Sequence, residues 1–192
     1  MRRALVCGFC FLWVTLILAL KPLEGQAKEV TWVELADLTG PVAGLDVSGT
    51  MGLEDYFKDL NGRGGVEGVK VKFVCVDTRY DVARALSAFK RYRRDEEVLA
   101  MGIVSTPLGK MLKEILGKEK MVITCPGDGE FQAHIGNFFT WGPTYQDGFA
   151  AALDWILEDW RKKGQPGKPK VTLLAWDTPY GKEPLRGGKE YA

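Results

Sequence analysis

The sequence predicts an α/β fold built on a doubly wound parallel sheet, which carries helices on both of its faces. Short apolar runs alternate along the chain with segments whose apolar residues recur at i, i+3, i+4 and i+7. This alternation of strand and helix periods is typical of βαβ units. Some runs, such as Val171–Trp176, have almost no polar positions, which favours strands buried on both faces, as in parallel sheets.

Six apolar runs are predicted to be strands, and turn residues separate them from the segments with helical periodicity. In chain order, the predicted strands are Val30–Asp37, Lys70–Asp77, Val98–Val104, Met121–Cys125, Asn137–Trp141 and Lys170–Trp176. The first helix is predicted from an apolar stripe at Leu53, Tyr56, Phe57 and Leu60 and ends at the glycine-rich turn Asn61–Gly65.

The later helices have recognisable start signals. Asp81 is expected to cap the helix after the second strand, because its short carboxylate can accept a hydrogen bond from a free amide. Thr106 is expected to cap the following helix, with Pro107 at its first position. Thr144 is expected to begin the helix after that, and a last helix is predicted from Gly181 to Ala192.

The first 27 residues predict a secretory signal peptide. Arg2 and Arg3 precede an apolar run, Ala4–Leu20, and the small residues Gly25 and Ala27 suit a cleavage site after Ala27. An uncleaved signal anchor is the alternative, because the run is just long enough to span a bilayer. In either case the rest of the chain is expected to be exported, to the periplasm.

Charge and cysteine content exclude some classes of partner and of fold. The formal net charge is +1, which argues against a nucleic-acid partner, since such proteins carry a basic stripe. Outside the signal segment, the cysteines are Cys75 and Cys125, each in or beside a predicted strand. Their strands are not expected to be neighbours, so we expect two free core thiols rather than a disulfide.

No catalytic or cofactor-binding pattern is found. His134 is the single histidine and lies in a polar turn with no evident nucleophile beside it. Metal-ligand spacings and glycine-rich phosphate loops are absent from the sequence. We therefore expect a binding protein without cofactor or metal, and not an enzyme. A secreted hydrolase that uses Cys125 is the alternative.

Candidate ligand contacts lie where the predicted strands end, because open parallel sheets bind ligands at the carboxyl ends of their strands. Val104, Ser105 and Thr106 follow the third strand, and hydroxyls at a helix start can accompany free amides in holding a carboxylate or carbonyl. Helix capping alone is the alternative. Pro126, Gly127 and Asp128 follow the fourth strand.

The ordered set of motifs resembles the type I periplasmic binding proteins of the branched-chain amino acid (Leu/Ile/Val-binding) and amide ABC transporters. The matching segments are Asp37–Ala43, Asp59–Gly68, Asp77, Gly102–Thr106, Val122–Thr124 and Asp177–Gly181. The resemblance implies a two-lobed fold that closes over its ligand, with residues 28–142 forming a complete first lobe. Residues 143–192 would be the truncated start of the second lobe, so the chain is expected to be a fragment.

The resemblance also implies a function and a set of contacts. The function is that of a solute receptor that delivers a branched-chain amino acid, an amide or a related small polar solute to the permease subunits of an ABC importer. A ligand-sensing ectodomain of the same fold is the alternative. Val104, Ser105, Thr106, Pro126, Gly127 and Asp128 would contact the solute, and Tyr180 would close over it. Two residues depart from the family pattern: Leu45 replaces an aromatic, and Asp128 replaces a small hydroxyl residue. A carboxylate at position 128 would repel the carboxylate of an amino-acid ligand and leaves amides, urea-like or cationic solutes as alternatives.

Overall fold

Five parallel strands form a single sheet in the computed structural model, which describes residues 28–116, 121–126, 129 and 136–191. The strands are β1 (Glu29–Ala36), β2 (Lys70–Asp77), β3 (Val98–Ile103), β4 (Val122–Cys125) and β5 (Phe138–Thr140). The helices are α1 (Ala43–Gly62), α2 (Val82–Tyr92), α3 (Thr106–Leu116), α4 (Tyr145–Lys162), α5 (Pro179–Lys182) and α6 (Leu185–Tyr191). The parallel sheet with helices on both faces confirms the predicted fold class. The predicted signal segment, residues 1–27, lies outside the described residues.

The strand order is β2-β1-β3-β4-β5, and it locates the place where the winding reverses. From β1 the chain first moves outward to β2 and then crosses back to the other side of β1, where β3 pairs with it. The loops after β1 and β3 therefore leave the sheet in opposite directions and open a crevice between them. In sheets of this order, ligands bind in that crevice, at the carboxyl ends of the strands.

The main core lies between one face of the sheet and helices α2 and α3. Alternate residues of the strands point to this side, and the two helices contribute the apolar stripes that the sequence predicts. The buried members include Val33, Leu35, Ala85, Phe89, Met101, Ile103, Leu108, Leu112 and Ile123. On α2, Asp81 caps the helix as predicted, accepting a hydrogen bond from the Arg84 amide at 2.8 Å. A cap of this kind typically contributes about 1 kcal/mol.

Helix α1 covers the β1–β2 half of the opposite face. Phe57 packs between Trp32 of β1 and Phe73 of β2, with ring centroids 5.5 and 5.9 Å apart. The predicted stripe is wrong in part, because Tyr56 is 54% exposed and the buried α1 positions are Asp46, Thr50 and Phe57. This buried face carries polar groups, which apolar periodicity does not detect.

The sixth predicted strand, Lys170–Trp176, is wrong: this segment is not assigned to a strand or helix. Its apolar side chains are exposed, with Leu174 98% and Trp176 46% accessible. A strand requires a neighbour that satisfies its amides and carbonyls, and no strand of the described sheet pairs with this segment. The apolar run alone therefore does not produce a strand.

The last helix also differs from its prediction. Instead of one helix from Gly181 there are two short ones, α5 and α6, and α6 contains a kink where Gly187 has φ of 71°. Thr178 caps α5 through the Gly181 amide at 3.3 Å, and α6 packs against α4, where Gly188 meets the ring of Phe149. No helix in the described part of the chain is both long and apolar enough to cross a membrane.

Candidate ligand-binding cleft

A cleft of about 1220 Å³ opens at the carboxyl ends of β1, β3 and β4. One side is formed by the ends of these strands together with α1 and Tyr80. The other side is formed by the segment from Trp141 to Pro184, which includes the start of α4 and Tyr180. Most of the lining residues are apolar or aromatic, as is usual for small-molecule sites. The cleft lies at the reversal of the sheet winding, where the strand order places it.

Asp37 shapes the loop after β1. Its side chain is buried and accepts hydrogen bonds from the amides of Gly40 and Val42, which fixes the turn into α1. A side chain at position 40 would collide with the Asp37 carboxylate and with the backbone of Arg79, so only glycine fits there. The Asp37 amide in turn donates to the Asp46 carboxylate of α1. These bonds hold the α1 wall of the cleft against the end of β1.

Asp77 ties the loop after β2 to the loop after β1. It accepts hydrogen bonds from the Thr39 hydroxyl at 2.6 Å and from the Leu38 amide at 3.0 Å. The Thr39 hydroxyl bond, with the backbone bonds from Leu38 and Arg79, lowers the pKa of the Asp77 carboxyl to about 2. The carboxylate therefore stays ionised, and keeps the two loops joined, down to strongly acidic pH.

Tyr80 reaches the cleft from a strained turn. Arg79 and Tyr80 are consecutive non-glycine residues with positive φ, 55° and 56°. Such residues cost free energy, of the order of 1 kcal/mol each, and persist where the surroundings impose them. The turn aims the Tyr80 ring across the cleft, where it stacks on Trp176 with centroids 5.7 Å apart.

Ser105 and Thr106 lie at the base of the cleft, and both are buried. Ser105, not Thr106, caps α3: its Oγ accepts a hydrogen bond from the Leu108 amide at 3.3 Å, so Thr106 is the first helical residue and Pro107 the second. The predicted cap is therefore displaced by one residue. Within the described residues, the Thr106 amide has no hydrogen-bond acceptor, and Pro107 has no amide proton. At this helix start, the Thr106 amide thus remains for a ligand, whereas the sequence predicted more than one free amide.

The other predicted contacts are placed as follows. Val104 and Pro126 are half-buried and line the cleft beside Ser105. Leu45 lines it from α1 and is 83% exposed, so its side chain covers the entrance rather than the base. Gly127 and Asp128 lie outside the described residues, and their role stays a prediction.

Tyr180 lines the far side of the cleft and connects to Thr106 through Tyr145. The Thr106 Oγ1 and the Tyr145 hydroxyl are 3.4 Å apart, and the Tyr145 and Tyr180 rings meet edge to face at 5.3 Å. Tyr145 and Tyr80 were not identified as site residues from the sequence. The signals were present, since Tyr145 follows the cap Thr144 at a helix start and Tyr80 follows the carboxyl end of β2.

The charged groups that line the cleft are carboxylates. Glu34 and Asp46 belong to the lining, and the described lining residues include no lysine, arginine or histidine. Burial, together with the nearby Asp46 charge, raises the pKa of Glu34 to about 7, although Trp32 Nε1 donates a hydrogen bond to it at 2.9 Å. Burial also raises the pKa of Asp46. Among the described lining residues, the groups that could donate to a carboxylate are therefore neutral ones such as the Thr106 amide.

Cys75 and Cys125, the cysteines of the described part of the chain, are free thiols, as predicted. Cys75 is on β2 and Cys125 on β4, and β1 and β3 lie between them, so the thiols are separated by about 14 Å at the usual strand spacing. Burial raises the pKa of Cys75 to about 11, which keeps it protonated. Cys125 is buried and lines the cleft. Among the described residues, no three histidine, cysteine, aspartate or glutamate side chains are grouped to hold a metal ion.

The fold and the cleft define a class of protein: a ligand-binding α/β protein whose site lies at the winding reversal of a parallel sheet. The sequence model of the periplasmic binding protein family matches residues 34–192, and the chain belongs to that family. Its members are receptors for substrates rather than enzymes. A comparison with curated protein sequences found no match.

Solved structures show the same fold. A fatty acid ABC transporter substrate-binding protein from Thermomonospora curvata is 27% identical, with a TM-score of 0.74 over 86% of this chain and 41% of that one. A branched-chain amino acid ABC transporter protein from Thermus thermophilus with bound valine is 20% identical, with a TM-score of 0.76 over 87% and 42%.

A possible leucine/isoleucine/valine-binding protein from Rhodopirellula baltica SH 1 is 19% identical, with a TM-score of 0.72 over 89% of this chain and 46% of that one. The two structures below a quarter identity show the fold alone. The chain spans less than half the length of these three structures. It is homologous to substrate-binding proteins of ABC transporters.

Proposed function

We propose that the protein is the solute-binding receptor of an ABC importer and that it captures a small solute in the cleft described above. The observation that carries the proposal is the position of the buried Ser105 and Thr106 at the base of a cleft at the winding reversal of the sheet. Family membership supports the importer role and an extracytoplasmic, periplasmic location. Delivery to permease subunits follows from the same role.

The solute is a molecule with a carboxylate or carbonyl at one end and an apolar body. The Thr106 amide and the positive end of the α3 dipole favour an oxygen acceptor at the base of the cleft. The apolar and aromatic lining favours an aliphatic body. Branched-chain amino acids and amides fit this description, and so do fatty acids, which are named for the similar Thermomonospora curvata protein.

In this role, residues 28–142 form one lobe and residues 143–192 the beginning of a second, with Tyr180 closing over the solute. The proposal is supported by the Thr106–Tyr145–Tyr180 contacts, which link the two segments across the cleft. Val104, Pro126 and Leu45 would contact the solute body, because they line the same cleft.

The experiment is isothermal titration calorimetry with a solute panel of L-valine, L-leucine, an aliphatic amide and octanoate. We expect at least one to bind, and we expect the combined S105A and T106A substitutions to weaken it by about 1–3 kcal/mol through lost hydrogen bonds. Ser87→Ala is the control, because it removes an exposed hydroxyl on α2 that is not among the residues lining the cleft.

Two results would contradict the proposal. Binding that is unchanged in the double variant would remove these residues as ligand contacts. A turnover of esters or amides that is abolished by alkylation of Cys125 would instead favour a hydrolase.

A further inference from the structure

Among the described residues, three side-chain contacts that join the two sides of the cleft carry the argument. The first side consists of the sheet with α1, α2 and α3, and we call it the sheet side. The other consists of residues 143–191, and we call it the outer side. Tyr80 stacks on Trp176 at one end, Thr106 meets Tyr145 in the middle, and Lys110 pairs with Glu183 at the other end. Only the last of these contacts joins two opposite charges.

Lys110 lies one helical turn after Thr106 on α3, so the two side chains share a face of that helix. The Lys110 ammonium bonds to the Glu183 carboxylate, which directly follows α5 on the outer side. The Glu183 side chain is 2% exposed, whereas that of Lys110 is 32% exposed. Thr106, which contacts the solute in the proposed function, and Lys110 of the charge pair therefore lie on the same face of α3.

Glu183 has two further donors, both on the outer side. Gln146 Nε2 of α4 lies 3.4 Å from its Oε1, and Arg186 Nη1 lies 3.7 Å from the same atom. These groups remain with Glu183 if the two sides separate, whereas Lys110 does not. Of the bonds that Glu183 makes to these three groups, opening the cleft thus breaks the one from Lys110 and exposes the carboxylate to water.

The pair lies outside the cleft lining. Among the described residues, neither Lys110 nor Glu183 lines the cleft, although Thr106, Tyr145 and Tyr180 do. A group that does not touch the solute cannot choose between solutes by contact. It can change the affinity only by shifting the balance between open and closed forms, and that shift applies equally to every solute.

We propose that the Lys110–Glu183 ion pair is the latch of the cleft: it sets how long the cleft stays closed over a solute, and it leaves the choice of solute to other residues. This inference rests on the proposed receptor function. It assigns to two residues of this chain a role in the rate of solute release.

The first test measures solute release by stopped flow, using L-valine and octanoate with the full chain. We expect K110M and E183Q each to raise the dissociation rate about tenfold, with the ratio of the affinities for the two solutes unchanged. Lys113→Met is the matched control, because Lys113 is an exposed lysine on the same helix, and its release rate should equal that of the original chain.

The double variant K110M/E183Q decides whether the pair itself acts. If the two residues act only through their mutual bond, the double variant should release solute no faster than the faster of the single variants. A double variant that is about a hundredfold faster than the original chain would overturn the proposal, because the two residues would then act independently, and so would single variants with unchanged release. A changed ratio of affinities would also overturn it, since it would place the pair in contact with the solute.

The second test needs no solute and therefore separates this inference from the receptor function. Hydrogen exchange followed by mass spectrometry should show faster exchange at residues 178–186 in K110M, with exchange at residues 82–92 of α2 unchanged. Equal acceleration in both segments would indicate a general loss of stability and contradict a latch. If no solute in the panel binds, the receptor function fails, and the exchange result alone decides the latch.

Discussion

At the scale of single residues, the burial of Glu34 makes the stability of the protein depend on pH. It is 7% exposed on β1, and its pKa is raised from 4.5 to about 7. The folded state thus binds this proton more tightly than the unfolded chain does. The Glu34 contribution to stability is therefore complete below about pH 4.5 and is lost as the pH rises towards 7.

We expect Glu34→Gln to remove this pH dependence. As the pH rises from 4.5 to 8, the unfolding free energy of the variant should increase by about 3 kcal/mol relative to that of the original chain, because the variant has no buried carboxylate that must ionise. Urea unfolding at the two pH values measures the difference. Glu96→Gln, at an exposed loop position, is the control and should leave the pH dependence unaltered. Parallel curves for Glu34→Gln and the original chain would refute the assignment.

Gly102 is a second residue whose role depends on Glu34. It is aligned with Glu34 in the β1–β3 pairing, and a Cβ at this position would collide with the Glu34 carboxylate. We expect Gly102→Ala to destabilise the protein by about 1–3 kcal/mol in thermal unfolding, and to cost less when Glu34 is already alanine. Gly44→Ala is the control, because its Cβ meets nothing and helix α1 should gain about 1 kcal/mol. Equal costs of Gly102→Ala in the two backgrounds would show that Glu34 is not the obstacle.

Sequence reasoning placed part of the candidate cleft lining at this scale. Ser105 and Thr106 were predicted because they follow a central strand, and the winding of the sheet determines that such positions face the cleft. Tyr80 and Tyr145 were missed because their approach to the cleft depends on a positive-φ turn and on the path of the chain into α4. The local signals, a cap before Tyr145 and a strand end before Tyr80, mark these positions but do not specify the path of the backbone that brings the rings to the cleft.

At the scale of elements, the helix caps are the features that local sequence determines best. We expect Asp81→Ala to lower the unfolding free energy by about 1 kcal/mol, because it leaves the Arg84 amide at the start of α2 without its acceptor. Asp81→Ser retains an acceptor and should be nearly neutral. Chemical denaturation of both variants makes the comparison, and an equal loss in both would contradict a capping role.

The strands show where the local sequence pattern is sufficient to predict a strand and where it is not. The predicted bounds of β1 to β4 agree with the structure to within about one residue, because each apolar run finds a parallel neighbour. The run at Lys170–Trp176 has an equally apolar sequence and no neighbour, and it does not form a strand. Pairing is a property of the whole sheet, so the sequence of one segment cannot determine it.

At the scale of the whole molecule, this unpaired run is an exposed apolar segment of high β-propensity. Such segments promote association between chains. We expect Leu174→Lys to reduce aggregation, measured by light scattering at rising protein concentration, with the unfolding free energy changed by less than about 0.5 kcal/mol. Thr172→Lys adds the same charge without removing an apolar group and should help less. An increase in aggregation with Leu174→Lys would show that Leu174 packs within the chain.

The cap at the start of α3 has a consequence for which head groups the cleft accepts. Because the Ser105 oxygen is already occupied by Leu108, that hydroxyl has chiefly its own proton to offer, and the neighbouring Thr106 amide also offers only a proton. At the base of the cleft, these two groups thus offer hydrogen-bond donors rather than acceptors. A hydrogen-bond acceptor is therefore favoured over a donor. Under the receptor function that we propose, isobutylamine, which lacks the carboxylate of valine, should bind more weakly than a homologue of valine that is one methylene shorter and keeps the carboxylate.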